Sequence, residues 1–218
     1  MKFGGYTDGI MVVTYHGAQC FRVSKGDSII AFDPISKTGA DYPPVRFGAD
    51  VVFSSMHHPN FFGIDALRTG SKEPFVVHGP GEYEVGEVTA RGFGVTTTYA
   101  DTEKNVTIYQ VQLEGINLVF LGALGSADID PKILSELGDV DILFIPIGGG
   151  EVLDVPDASK LAVKLEAKIV IPMHYDERSL GAFLKEEGVE TKTPIEKLTL
   201  KKKDLAEMNG EVIVLANV

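Results

Sequence analysis

The stretch that decides the fold is Ala49-Asp-Val-Val-Phe-Ser-Ser-Met-His-His-Pro-Asn-Phe-Phe-Gly63. It begins with an apolar run, Val51 to Phe53, of the length of a short buried strand, and continues into a loop with two adjacent histidines. Loops that follow sheet strands often carry the chemistry of α/β proteins, because the sheet holds their residues in place. The neighbours of these histidines are Met, Pro, Asn and Phe, which are poor ligands for hard metal ions and poor proton carriers. The stretch therefore predicts a site that has few reactive groups.

The composition predicts one compact, soluble, acidic domain that covers residues 1–218. Apolar residues make up 44% of the chain, enough for a substantial core. No run of about 18 apolar residues predicts a membrane span, and the N-terminus lacks the apolar segment of a secretory signal. Cys20 is the only cysteine, which favours a cytoplasmic location and a buried, inert thiol. The formal net charge of −11 argues against nucleic acid as a partner, because its phosphates would be repelled.

The first half of the chain is rich in predicted strands, and the second half alternates strands with helices. Strands are predicted at residues 9–15, 19–24, 28–33, 49–54, 74–78, 88–98, 105–114, 116–121, 140–147, 168–172, 198–200 and 211–215. Helices are predicted at residues 64–69, 130–137, 158–165 and 180–187, with Asp130 and Asp157 as N-caps. Residues 79–86 are predicted to form a turn, and Gly92 and Gly94 to form bulges. We therefore expect sheets that are layered with helices on the outside.

Three segments taken in order, Ala49–Ser55, Leu121-Gly-Ala-Leu-Gly125 and Ile171-Pro-Met-His-Tyr175, resemble the metallo-β-lactamase superfamily. The chain is most similar to its small branch of Zn-dependent hydrolases, the branch that resembles the ascorbate-6-phosphate lactonase group. The resemblance covers roughly residues 12–215. It implies an α/β (α+β) fold, a four-layer αββα sandwich with the metal site at one edge of the paired sheets.

The same resemblance implies that the metal site is degenerate. The family motif His-x-His-x-Asp-His falls on residues 56–61, and further family ligands fall later in the chain. The matching positions are Met56, His58, Asn60, Phe61, Ala100, Ala123 and His174. A catalytic zinc needs about three protein ligands and an open position for water. The resemblance leaves His58 and His174 as a vestigial metal pair, with possible assistance from His57.

Two further features are predicted to support the site. Asp33, at a strand end, is predicted to accept hydrogen bonds from nearby backbone or to orient a histidine. Gly148-Gly149-Gly150 is predicted to form a flexible loop at the edge of the site, since it lacks the lysine and serine of a nucleotide-binding loop.

The sequence leaves three functions open. The first is a catalytically impaired pseudo-hydrolase or a binding or structural homologue, with no cofactor. The second is an active metal-dependent hydrolase of an ester, lactone or phosphoester, with zinc held in a reduced or rebuilt site around His58 and His174, which His57, His16 or His78 could complete. The third is an interaction module in which Met56, Phe61 and Phe62 face a partner. Neither a membrane nor nucleic acid is expected as a partner, a homo-oligomer is compatible with the fold, and the sequence does not identify a small-molecule or protein partner.

Overall fold

The computed structural model describes residues 9–67 and 73–218, and its first sheet lies in the N-terminal half of the chain. Within those ranges six strands form this sheet, in the order β12-β1-β2-β3-β4-β5. They are β1 (Met11–Tyr15), β2 (Phe21–Lys25), β3 (Ser28–Phe32), β4 (Val51–Ser54), β5 (Phe75–His78) and β12 (Leu198–Leu200). β3, β4 and β5 run parallel, so the loops after β3 and β4 leave the sheet at the same edge.

The second sheet has seven strands in the described ranges, in the order β13-β11-β10-β9-β8-β7-β6. They are β6 (Gly81–Val85), β7 (Val88–Tyr99), β8 (Thr102–Leu113), β9 (Ile116–Phe120), β10 (Ile142–Pro146), β11 (Ile169–Met173) and β13 (Glu211–Val212). β9, β10 and β11 are parallel neighbours and are buried along their whole length. Their C-terminal ends therefore meet at one edge of the sheet, the usual place for a site in this kind of sheet.

Four α-helices lie in the described part of the chain, and a 3₁₀ helix covers Lys202–Glu207. The α-helices are α1 (Ile64–Leu67), α2 (Pro131–Glu136), α3 (Val155–Leu165) and α4 (Glu177–Glu186). The predicted cap Asp130 is confirmed, since its side chain accepts a hydrogen bond from the backbone of Lys132. None of the helices in residues 9–67 and 73–218 is long and apolar enough to cross a membrane.

Three buried clusters fix the layer order. The first lies between the sheets, where the rings of Phe32 and Phe120 stack with their centroids 4.8 Å apart. The second joins the other face of the second sheet to α3 and α4 through residues such as Leu161 and Phe183. The third joins the outer face of the first sheet to α1 through Leu67. The layers are helix, sheet, sheet, helix, as predicted.

Two predicted irregularities are wrong. Residues 79–86 are not simply a turn, because residues 81–85 pair with β7 as the edge strand β6. Gly92 and Gly94 do not form bulges, because β7 and β8 pair one residue to one along their whole length. A Cβ added at Gly92 would lie 2.7 Å from the carbonyl oxygen of Gly79, so this glycine permits a close backbone approach instead.

One helix prediction needs correction, and another extends beyond the described residues. The third predicted helix begins at Val155 rather than at 158, and its cap is Asp154 rather than Asp157. Pro156 lies in the first turn, where its missing N–H has no helical partner to lose. The end of the first predicted helix, residues 68–69, lies outside the described residues.

Candidate functional site

The candidate site lies where the loops after β4, β7, β9, β10 and β11 meet. A Cβ added at Gly122 would lie 2.3 Å from the Cβ of Ser55, so the loops after β9 and β4 touch. The backbone N–H of Ala100 donates to Oε1 of Glu151 at 2.9 Å, which ties the β7–β8 turn to the loop after β10. The topology therefore brings together the sequence positions that the family resemblance singled out.

The positions of the replaced ligands form a packed apolar core. Met56 is 4% exposed, and Phe61 and Ala123 are completely buried. All three belong to one hydrophobic cluster that also contains Tyr99. A metal ion needs electron-pair donors that face an open space, whereas these side chains pack against one another in a buried cluster. The interaction-module hypothesis is wrong for Met56 and Phe61, because both side chains are covered by their own chain.

Both retained histidines contact the same buried ring. The ring centroid of Phe61 lies 5.7 Å from that of His58 and 6.2 Å from that of His174. The ring of Tyr99 meets His58 edge-on, with centroids 5.2 Å apart. The structure therefore places His58 and His174 against the same aromatic side chain, whereas their predicted role as a vestigial metal pair stays a prediction.

The hydrogen bonding of His58 fixes which of its nitrogens carries the proton. The backbone N–H of Asn60 donates to Nδ1 of His58 at 3.2 Å. A neutral imidazole that accepts at Nδ1 carries its proton on Nε2, where it then has no lone pair for a metal. Binding of a metal at Nε2 of His58 would require this hydrogen bond to break.

His174 is held by its backbone as well as by its ring. It adopts a left-handed conformation with φ 51°, and its N–H donates to the carbonyl oxygen of Ala18 at 2.7 Å. Its Nδ1 lies 2.8 Å from Nε2 of the fully buried Gln19. Burial lowers the pKa of His174, and the carboxylate of Glu151 opposes this shift. His174 is therefore a largely neutral side chain at pH 7.

Asn60 uses its amide to hold a neighbouring loop. Its Oδ1 accepts from the backbone N–H of Asp41 at 2.8 Å, and its Nδ2 donates to Oδ2 of Asp41 at 2.9 Å. Nδ2 also lies 3.4 Å from the hydroxyl of Tyr99. Because Asn60 is 2% exposed and its oxygen is engaged, it has no free donor atom to offer to a metal.

Asp33 supports the start of the loop after β4. Its fully buried carboxylate accepts hydrogen bonds from the backbone N–H and the hydroxyl of Ser55, each at 2.6 Å. Burial raises the pKa of Asp33, whereas the two hydrogen bonds from Ser55 lower it. The prediction that Asp33 binds nearby backbone is confirmed.

The other histidines lie elsewhere. His57 is exposed and packs on Phe62, with ring centroids 4.6 Å apart, and Phe62 meets the exposed His78 at 5.5 Å. His16 bonds to the hydroxyl of Thr14 and packs on a phenylalanine of the loop before β4. Across residues 9–67 and 73–218, no three or more His, Cys, Asp or Glu side chains are grouped so as to hold a metal ion. The residues present do not fit the zinc that the fold implies.

Two side chains at the site, Tyr42 and Glu151, escaped the sequence prediction, whereas Tyr99 precedes the family position that falls on Ala100. The ring of Tyr42 meets His174 edge-on, with centroids 6.4 Å apart. The pKa of Tyr99 is raised to about 12, mainly by burial; the hydrogen bond from Asn60 opposes this rise and the carboxylate of Glu151 adds to it. Only Glu151 had a local signal, because it follows the predicted loop of three glycines. That loop does lie at the site edge, since a Cβ on Gly148 would lie 2.2 Å from the carbonyl oxygen of His174.

Comparison with known proteins decides the family. Residues 12–174 match the family described as the beta-lactamase superfamily domain. The chain belongs to this family. Among curated relatives, the UPF0173 metal-dependent hydrolase YtkL of Bacillus subtilis is 27% identical over 195 residues, which cover 76% of this chain and 86% of YtkL. A UPF0173 metal-dependent hydrolase of Bacillus licheniformis is 25% identical over 196 residues, which cover 76% of this chain and 85% of that protein.

A solved structure supports the same fold. It is a Thermotoga maritima member of the metallo-β-lactamase superfamily whose proposed activity is Zn-dependent hydrolysis. It is 27% identical, with a TM-score of 0.69, over 94% of this chain and 98% of the other. The predicted superfamily and its layered α/β sandwich are confirmed.

Proposed function

We propose that the chain is a pseudo-hydrolase: a metallo-β-lactamase-fold homologue of metal-dependent hydrolases that has lost most metal ligands and is catalytically impaired. Its relatives YtkL and the Bacillus licheniformis protein are named metal-dependent hydrolases, which supports a hydrolase ancestry. The observation that carries the proposal is the completely buried ring of Phe61, packed against both retained histidines.

The chemistry of the donor set supports this proposal. Phe61 and Ala123 have no electron-pair donor, the thioether of Met56 is a soft ligand poorly matched to zinc, and Asn60 brings no negative charge. A metal lowers the pKa of bound water from about 15.7 to about 7, and without it water is a poor nucleophile at neutral pH. The site therefore lacks the donors to hold a metal that would convert water to hydroxide at neutral pH.

The backbone around the site supports a retained binding role. Ala18, Asp33, Ala100, Asp101 and His174 all have positive φ values between 40° and 55°. Such conformations are costly for residues other than glycine, and they concentrate at functional sites. All five lie on the loops around the candidate site or against His174. We infer that the cleft keeps a shaped surface for a ligand although its metal chemistry is lost.

The second candidate is an active metal-dependent hydrolase of an ester, lactone or phosphoester, with zinc as its cofactor. One observation favours it: the carboxylate of Glu151 acts electrostatically on His174, so a negatively charged group lies near one of the two retained histidines. Against it stand the hydrogen bond that occupies Nδ1 of His58 and the ring of Phe61.

Hydrolysis assays separate the two candidates. The chain, incubated with zinc, is assayed against p-nitrophenyl esters, an aryl lactone and bis-p-nitrophenyl phosphate, and YtkL is assayed in parallel for comparison. The pseudo-hydrolase proposal predicts rates equal to those of the His58→Ala variant. Turnover that His58→Ala abolishes and His57→Ala preserves would establish the second candidate instead.

A further inference from the structure

Residues 36–44, here called the strap, cross the surface between two buried anchors. Ile35 is completely buried and Val45 is 5% exposed, and both belong to the cluster beneath the first sheet. Every residue from 36 to 44 is partly or fully exposed, and the side chains of Ala40 and Tyr42 pack against the edge of this cluster. The position of the strap therefore depends on this packing and on polar contacts with the rest of the chain.

The start of the strap is fixed beside α1. The N–H of Ser36 donates to the carbonyl oxygen of Pro59 at 2.9 Å. The hydroxyl of Ser36 and the N–H of Lys37 both donate to the carboxylate of Asp65, each at 3.0 Å. These contacts hold the strap next to the loop after β4 and do not involve Asn60.

The middle of the strap is held by a reciprocal pair. Asn60 accepts from the N–H of Asp41 and donates to its carboxylate, at 2.8 and 2.9 Å. Asn60 is buried and is itself fixed by contacts to His58 and Tyr99, whereas Asp41 is exposed. The pair therefore joins a buried side chain to an exposed residue of the strap.

The strap bridges the two sides of the cleft at this point. Asp41 is bonded to the loop after β4, and the ring of Tyr42 beside it meets His174 after β11. His58 and His174 both contact Phe61 beneath. Residues 41 and 42 therefore link the loop after β4 to the loop after β11.

We propose that Asn60 is a latch that holds the strap closed over the cleft, and that the strap opens by breaking the Asp41–Asn60 pair. The family resemblance places a metal-binding aspartate at this position. An aspartate there would set a carboxylate against that of Asp41 and would lack the amide donor, so the latch requires the amide. Replacement of this aspartate by asparagine therefore turns a metal-ligand position into a residue that holds the strap in place. The latch does not depend on what the cleft binds.

Hydrogen exchange of the folded chain tests the latch at single amides. In Asn60→Ala the amide of Asp41 loses its acceptor, and its exchange is expected to speed up about tenfold or more. The amide of Ser36 is the internal control, because its acceptor is Pro59. Asp41→Asn is the matched control variant: it keeps the backbone donor and a side-chain acceptor, so its exchange should stay near that of the wild type.

Labelling of histidines with diethyl pyrocarbonate tests whether the strap covers the cleft. Opening of the strap in Asn60→Ala is expected to raise the reactivity of His58 and His174 severalfold. The reactivity of the exposed His57 and His78 should stay constant. Asp41→Ala provides a second variant at an exposed position, which removes one of the two bonds without disturbing the core. If Asn60→Ala fails to fold, exchange and labelling in Asp41→Ala decide the outcome. Wild-type exchange at position 41 and wild-type labelling of His174 in these folded variants would overturn the proposal.

Discussion

The backbone N–H of Asn60 points at Nδ1 of His58, with 3.2 Å between the two nitrogens. This relationship assigns the proton of His58 to Nε2, although the family resemblance implies a metal ligand at this position. The tautomer of His58 and the position of the strap therefore depend on the same residue, because the backbone of Asn60 bonds to His58 and its side chain holds the strap.

The tautomer of His58 can be observed directly. At pH 7.5, long-range ¹H–¹⁵N spectra of the folded chain should show His58 as the Nε2–H tautomer, because Nδ1 accepts from a backbone donor that cannot rotate away. The exposed His57 provides the control, as it lies outside this hydrogen bond. A dominant Nδ1–H form of His58 would contradict the assignment and would restore a lone pair on Nε2.

Phe61 is expected to be a structural residue. Its ring is completely buried, so Phe61→Ala should lower the free energy of unfolding by about 3–5 kcal/mol, measured by urea denaturation. Phe61→Leu keeps most of the apolar volume and should cost clearly less. A loss well below 1 kcal/mol for Phe61→Ala would show that the ring does not fill the site, because truncation of a buried aromatic side chain costs more than that.

The Asp33–Ser55 pair should stabilise the loop after β4. Asp33→Ala leaves two buried donors of Ser55 without an acceptor and should cost about 3 kcal/mol of unfolding free energy. It also places alanine at φ 40°, where asparagine is better tolerated. Asp33→Asn retains an acceptor and is therefore the milder control. Equal stability of the wild type and Asp33→Ala would contradict this role.

Stability should depend on pH through His174. Burial lowers its pKa in the folded state below the ordinary 6.5, so the unfolded chain binds the proton more readily. The stabilisation is present above pH 6.5 and is lost as the pH falls through the folded pKa. Between pH 7 and 5 the free energy of unfolding should fall less steeply in His174→Gln than in the wild type. The exposed His57→Gln should leave the slope unchanged, and a wild-type slope in His174→Gln would argue against a buried neutral imidazole.

Much of the fold could be predicted from the apolar pattern, because strands such as β4 and β11 are continuous apolar runs buried on both faces. The sequence does not predict strand β6, because Gly81–Val85 is largely polar and lies at an edge of its sheet. A strand that is little buried shows no clear alternation of apolar and polar residues. The cap of α3 was placed too late, although Pro156 marks the true start of the helix.

The site was only partly predictable. The order of its segments and the family resemblance located His58 and His174, which do share a ring contact. Whether Met56 and Phe61 face inward or outward depends on packing from β7, β8 and β9, which no local pattern encodes. The Asp41–Asn60 pair and the Tyr42–His174 contact join residues distant in sequence through flexible polar side chains. Only the folded chain shows them.

Metal content tests the proposal that this site has lost its catalytic metal. The protein is purified without chelators from zinc-supplemented medium, in parallel with YtkL, and zinc, iron and manganese are measured by mass spectrometry. A pseudo-hydrolase should contain far less than one ion per chain, with no difference between the wild type and His58→Ala. About one ion or more per chain, lost in His58→Ala and kept in His57→Ala, would contradict the proposal.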